Sequence, residues 1–145
     1  MITIQFITEP AQMQAALGIR EEVFVQEQRV PAEEEYDEFE NYSRHFLALI
    51  DGHPAGTARW RFTDQGIKLE RFAVLSRYRG SGVGSALVKA VLDDIMATDN
   101  IRGRLLYMHA QITAMPLYAK FGFQPVGEMF EECAIQHYKM QRLSE

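Results

Sequence analysis

The sequence predicts an α+β domain that becomes mixed α/β in its second half. Three observations carry this. Short, partly alternating apolar runs recur along the whole chain and read as strands. In the first half they are separated by tight-turn signals such as Asp51-Gly52, which joins antiparallel neighbours. In the second half a stripe at helical spacing, Val83, Leu87, Val91 and Ile95, separates two strand signals and is long enough for a crossover.

Ile2 to Ile7 places Ile2, Ile4 and Phe6 on one face and reads as an edge strand. Thr8 offers an N-cap and Pro10 suits a first helical turn. Met13, Leu17, Arg20 and Phe24 follow at helical spacing, so this helix is expected to run to about Val25. Residues 26–43 hold Glu33, Glu34, Glu35, Asp37, Glu38 and Glu40 and read as a short helix or loop over one end of the domain. Phe46 to Ile50, Pro54 to Phe62 and Ile67 to Leu75 form three hairpin-linked strands, the second turn being Asp64-Gln65-Gly66. A glycine-rich bend at 80–84 opens the long helix. Leu105 to Ala110 is a strand, and Thr113 to Phe121 a helix with Gly122 as its C′ residue. Phe123 to Phe130 and Ile135 to Leu143 close a last hairpin.

The 145 residues fit one domain, 1–145, with no linker, repeat or low-complexity tract. A hydrophobic fraction of 47% supports one sizeable core. The net charge of −5 makes a poor general binder of nucleic acid or anionic membrane. The one cysteine, Cys133, excludes an internal disulfide and a cysteine-based zinc site, and no metal is expected. It is expected to be buried or at a strand edge. Met1 begins no signal-peptide pattern, and no stretch nears the ~20 apolar residues of a membrane span. A soluble, cytoplasmic protein is the expectation.

Arg79-Gly80-Ser81-Gly82-Val83-Gly84 lies between a strand and a helix. Glycines there let the backbone turn tightly and aim bare N–H groups at an anion, while Arg77 and Arg79 add charge. A P-loop would need Lys-Ser/Thr next, but Ser85-Ala86 follows. A dinucleotide fingerprint would need glycine at Ser85 and an acidic ribose anchor after a strand, where Asn100 follows a helix.

Arg79, Gly82 and Gly84 instead fit R/Q-x-x-G-x-G/A and resemble the pyrophosphate loop of the GNAT superfamily of N-acetyltransferases. Leu117-Tyr118-Ala119-Lys120-Phe121-Gly122-Phe123 resembles the Tyr-bearing segment after the fifth strand of those enzymes, and Leu69 to Val74 the strand before the loop. The resemblance covers about residues 44–142. Ile19 to Val30, the acidic stretch to His45, and Phe130 to Met140 resemble a small bacterial branch typified by ElaA and YjcF. The glyphosate N-acetyltransferases share that layout. They usually place Pro before the late His, where this chain has Gln136.

The resemblance implies a GNAT-like fold: a mostly antiparallel central sheet with splayed fourth and fifth strands and flanking helices. It implies transfer of an acetyl group from acetyl-CoA to the primary amine of a small, amino-acid-like metabolite, by direct attack in a ternary complex. Gly80, Ser81, Gly82, Val83, Gly84 and Ser85, with Arg79, would hold the CoA pyrophosphate. The main chain of Phe72, Ala73 and Val74 would pair with the pantetheine arm, and the Val74 N–H would polarise the thioester. Tyr118 matches the general acid, because a phenol stays protonated at neutral pH. His137 matches the base, with Glu70 as competitor. His45 is expected to make a structural hydrogen bond, and the facing of His109 is left open. Arg20 and Arg71 match positions that hold an anionic substrate in the glyphosate branch. A third arginine of that branch falls on Gln111, which argues for a smaller anion. The acidic run offers a cationic attraction instead, and an amino acid carries both charges. The family often dimerises through late strands, which admits a homodimer. Two alternatives remain open: a non-catalytic acyl-CoA-binding sensor or interaction module, which would need no acid, and a nucleotide-binding regulator taking ATP or NAD.

Overall fold

The computed structural model describes residues 1–144; residue 145, the end of the expected domain, lies outside them. One seven-stranded sheet has the order β1-β2-β3-β4-β5-β7-β6. β1 (Ile2–Phe6), β2 (Arg44–Ile50), β3 (His53–Thr63) and β4 (Gly66–Val74) form an antiparallel meander. α3 (Val83–Met96) crosses over to β5 (Leu105–Gln111), which lies parallel to β4. α4 (Met115–Ala119) precedes β6 (Gln124–Glu132) and β7 (Ile135–Leu143). β7 inserts between β5 and β6, antiparallel to both.

The two faces of β2 build two cores, as strand alternation requires. Phe46 and Ala48 join Trp60, Leu69 and Leu106 under Val83, Leu87, Val91 and Ile95 of α3. Leu47 joins Ala73 and Leu75 under Ile19, Val23 and Phe24. Trp60 is core, and its indole N–H donates to Asp94.

α1 (Pro10–Arg20) departs from the expected helix at both ends. Its N-cap is Glu9, not Thr8, and Gln12 Oε1 accepts the N–H groups of both residues at 2.8 and 2.9 Å. The buried stripe is Ala16, Ile19 and Arg20, turned from the expected Met13 and Leu17. Beyond Arg20 the chain widens into a π-helix, Glu21–Glu27, with Gln28 N–H reaching back to Val23 O. The acidic run contains α2 (Ala32–Glu35) and a 3-10 turn, Glu40–Tyr42. The second half keeps the expected order, but the helix expected from Thr113 is a 3-10 turn, Ile112–Ala114, followed by the short α4. Gly122 takes the expected positive φ, 88°.

β4 and β5 pair only at Ile67–Leu106 and Lys68–Tyr107. Gly66 permits that closure, since a Cβ there would stand 2.3 Å from Leu105 O. Beyond it the strands part, as the resemblance implied. A bulge adds to the divergence: between the pairs Thr57–Ala73 and Arg59–Glu70, β4 carries one more residue than β3. Arg71 sits in it with a φ of 58°.

Candidate active site

The parting of β4 and β5 opens a cleft with about 140 Å³ of free space, lined from β4 by Glu70, Arg71 and Phe72. Across it stand His109 and Gln111 of β5, Tyr118 of α4, and Glu132 and His137 of the last hairpin. The register explains the assembly. Gln111 lies opposite His137, and Phe130 opposite His137 on its other side, so these side chains share one sheet face.

Tyr118 is 7% exposed and packs edge-on against Phe72, with ring centroids 5.6 Å apart. Burial pushes its phenol well above the ordinary value, so it stays protonated. His137 is buried, and its Nδ1 lies 2.7 Å from Ile135 O. A carbonyl only accepts, so Nδ1 carries the proton and the lone pair sits on Nε2. Nε2 stands 3.9 Å from Glu132 Oε1. Glu132 Oε2 meets His109 Nδ1 at 2.9 Å. Phe130 stacks on His137 at 5.8 Å and meets His109 edge-on at 5.1 Å. His109 therefore faces the cleft.

Glu70 is differently placed. Its carboxylate accepts from Arg59 at 2.8 Å and Arg61 at 2.7 Å, with Lys68 3.4 Å away. Burial alone would raise its pKa, but the cations, Arg59 first, hold it below the ordinary value. A carboxylate so surrounded is a weak proton acceptor.

The expected anion-binding arginines divide. Arg71 lines the cleft, with Nη2 donating to Glu35 O and Asp37, and Nη1 has no hydrogen-bond partner among the described residues. Arg20 does not line it. Its guanidinium is 1% exposed and donates to Glu35 at 2.9 and 3.0 Å and to Glu40 at 2.9 and 2.8 Å. Arg59 grips Asp37 and Glu40 as well. Glu35, Asp37 and Glu40 are thus counter-ions folded over buried arginines, while Glu33, Glu34 and Glu38 of the same run are exposed. His45 makes its expected structural bond, Nε2 to Glu40 O at 2.8 Å, and burial keeps it neutral. Gln111 exchanges two amide hydrogen bonds with Gln28 across the cleft mouth.

The glycine bend lies farther along the same open β4 edge. Gly82 caps α3 with a φ of 95°. The first helical bond runs from Ala86 N–H to Gly82 O, so the amides of Val83, Gly84 and Ser85 have no intrahelical acceptor. That is a cradle for an anion. Arg79 spans from it: Nε donates to Val74 O at 3.0 Å, and the Nη atoms to Glu27 at 2.6 and 2.8 Å. Leu75 N–H is bonded to Ala55 O, so by strand alternation Val74 turns its own N–H to the open edge. Ala73, opposite Thr57, turns its main chain into the sheet.

Glu132, Phe130, Gln28 and Arg59 were not anticipated, and Glu35 and Asp37 were expected only as part of the acidic run. A two-residue turn at Cys133-Ala134 would have set the pairs Phe130–His137 and Glu132–Ile135, but neither residue signals the positive φ values of 50° and 64° found there. Cys133, expected buried or at a strand edge, is exposed in the turn just past the end of β6, its thiol donating to Glu34. Among the described residues, no group of three or more His, Cys, Asp or Glu is placed to hold a metal ion. No helix there is long and apolar enough to cross a membrane.

Residues 8–144 match the acetyltransferase (GNAT) domain family. The chain is 42% identical over 132 residues to the uncharacterized N-acetyltransferase YjcF of Bacillus subtilis, covering 90% of this chain and 92% of that protein. It is 31% identical over 136 residues to ElaA of Escherichia coli, covering 91% and 88%. The crystal structure of Escherichia coli ElaA superposes with a TM-score of 0.82 at 28% identity, over 98% of this chain and 99% of that one. A Bacillus subtilis acetyltransferase solved in complex with CoA shares the fold, with a TM-score of 0.71 at 16% identity over 99% of each chain. With the splayed strands, the cradle at α3 and the tyrosine of α4 already in place, this chain belongs to the GNAT family of acetyltransferases.

Proposed function

We propose that the protein moves an acetyl group from acetyl-CoA to the primary amine of a small, amino-acid-like metabolite, in a ternary complex. The observation that supports this most is the meeting of Tyr118 and His137 in one cleft, at the end of an open strand edge that leads from the glycine cradle. An acyl-CoA sensor needs the cradle but not an acid and a base beyond it.

The amides of residues 83–85, with Gly80, Ser81 and Gly82 shaping the turn, bind the pyrophosphate. The open edge of Phe72 to Val74 takes the pantetheine arm as an added strand, and the Val74 N–H donates to the thioester oxygen. His137 Nε2 takes one proton from the acceptor's ammonium and later passes it to solvent, and the freed nitrogen attacks the carbonyl carbon. As the C–S bond breaks, Tyr118 gives its proton to sulfur and regains one as the new amide nitrogen sheds its second. The products are the amide, free CoA thiol and one proton. His137 is preferred to Glu70 because its lone pair is unoccupied, whereas Glu70 is ringed by cations. Arg71 Nη1 and the Gln111 amide offer donors to a carboxylate on the acceptor, while Arg20 supports Arg71 through their shared partner Glu35.

A thermal-shift titration with acetyl-CoA, CoA, ATP and NAD tests the first half. A ligand at about a hundredfold excess over Kd adds about 2.7 kcal/mol. Shifts with the two CoA compounds alone are expected. Thiol release with a panel of amino acids then tests transfer. A shift with ATP or NAD and none with CoA would overturn the proposal.

A further inference from the structure

Glu132 has no part in the reaction as written, yet it stands beside the base. Its two carboxylate oxygens have different neighbours: Oε2 is held by His109 at 2.9 Å, and Oε1 lies 3.9 Å from His137 Nε2. The gap is too long for a hydrogen bond between the two groups. It suits a single nitrogen placed between them, about 2.8–3.0 Å from each. An ammonium carries three N–H donors and can fill both directions at once.

We infer that Glu132 docks the acceptor's ammonium against His137, so that the enzyme takes amines in their charged form. This rests on the acetyl-transfer reading. One N–H then bonds Glu132 Oε1 and another bonds His137 Nε2. Transfer of the second proton breaks that N–H bond, forms the imidazolium Nε2–H, and frees the nitrogen lone pair for attack. The amine keeps its bond to Glu132 as it attacks, and the proton it must still shed to become an amide replaces the one that Tyr118 gives to sulfur. Glu132 is the specificity-determining residue, and His109 is a positioning residue that fixes which oxygen faces the base.

The surroundings agree. The hydrogen bond from His109 holds the Glu132 carboxyl below its ordinary pKa, so it is ionised at neutral pH. The other charged groups lining the cleft are Glu34, Glu35, Glu70, Lys68 and Arg71. Lys68 is drawn to Glu70, and Arg71 to Glu35 and Asp37, so neither cation is bonded to Glu132. Phe130, between the two imidazoles, keeps the hairpin rings in register.

The test compares wild type, Glu132→Gln, and Glu131→Gln, which removes the same charge from the opposite face of β6. The probes are methylamine, an ammonium at neutral pH, and methoxyamine, uncharged there. Both are small enough to reach the reacting position whatever the natural acceptor is. Carboxyl-carbon NMR of the CoA-bound protein should show a saturable shift of the Glu132 signal with methylamine and none with methoxyamine. With acetyl-CoA, Glu132→Gln should lose about tenfold in kcat/KM for methylamine, mostly through KM, and under about twofold for methoxyamine. Glu131→Gln should match wild type with both. Absence of the Glu132 shift, or equal losses for the two amines, overturns the docking role. A saturable shift without thiol release from wild type upholds docking and overturns the transfer reading instead.

Discussion

Arg20 and Glu35 form a bidentate ion pair in which both side chains are 1% exposed, joining α1 to the acidic segment beneath the cleft. Removing either partner of so deep a pair leaves the other buried with half its counter-charge, Glu40 for Arg20 and Arg71 for Glu35. Glu35→Ala is expected to cost about 3–5 kcal/mol, read from the urea midpoint. Glu131→Ala, on the surface, should stay within about 0.5 kcal/mol.

The same network makes the fold acid-sensitive in a defined window. Burial alone would raise the Asp37 carboxyl, but the Arg59 guanidinium brings it down to about 2. Glu40 is likewise held at about 2 against burial, by Arg20 and then Arg59. Both titrate lower in the folded chain than in the unfolded one, so the unfolded chain takes up protons first as pH falls. Their contribution is complete above the ordinary carboxyl range and is lost as pH drops toward about 2. Urea midpoints measured from pH 5 downward should fall steadily, and Asp37→Asn should flatten the slope.

Tyr118→Phe removes one oxygen from a packed ring and should leave CoA affinity and melting temperature close to wild type. Turnover should drop on the order of a hundred- to ten-thousand-fold. Because the phenol titrates above its ordinary 10, the alkaline limb of kcat in wild type should lie beyond that value. An unchanged rate would remove Tyr118 from the chemistry.

Gly82→Ala places a side chain at a φ of 95° with nothing nearer than Ile2 Cδ1 at 3.6 Å. The cost is therefore backbone strain, about 1–2 kcal/mol, not a clash. It falls on the residue that aims the three amides of the cradle, so CoA affinity should weaken with stability in an isothermal titration. Gly18→Ala in α1, where a Cβ meets nothing within 4 Å, should be neutral or stabilising by up to about 1 kcal/mol.

What could be read from the sequence was local. Asp51-Gly52 announced its hairpin because glycine tolerates the required φ, here 84°. The places of Gly82 at the start of α3 and of Tyr118 on α4 were legible because each rests on a short spacing. Arg20 was not, since its partners lie 15 and 20 residues away and only folding shows that its donors are taken. The wide turn of Glu21–Glu27 has no residue-level signal, and it carries Glu27 to Arg79, 52 residues on. The last hairpin was read with a four-residue loop at 131–134, which hid the pairing of Glu132 with Ile135 and so its place beside His137.

The short seam between β4 and β5 has a further consequence. A strand edge normally lies at a sheet's border, where charge or cover keeps other chains off it. Here such an edge lies inside the molecule, and the bare protein is two half-sheets stitched at one end by two residue pairs. One core under α3 spans both halves, with Leu106 and Met140 beside Trp60 and Leu69, so the looseness is confined to the parted ends of β4 and β5, where amide hydrogen exchange should be faster than in β2 and β3. A bound pantetheine arm would satisfy the bare backbone groups and slow that exchange. Any ligand laid along that edge would thus cover a surface that the fold otherwise leaves open to a stray strand.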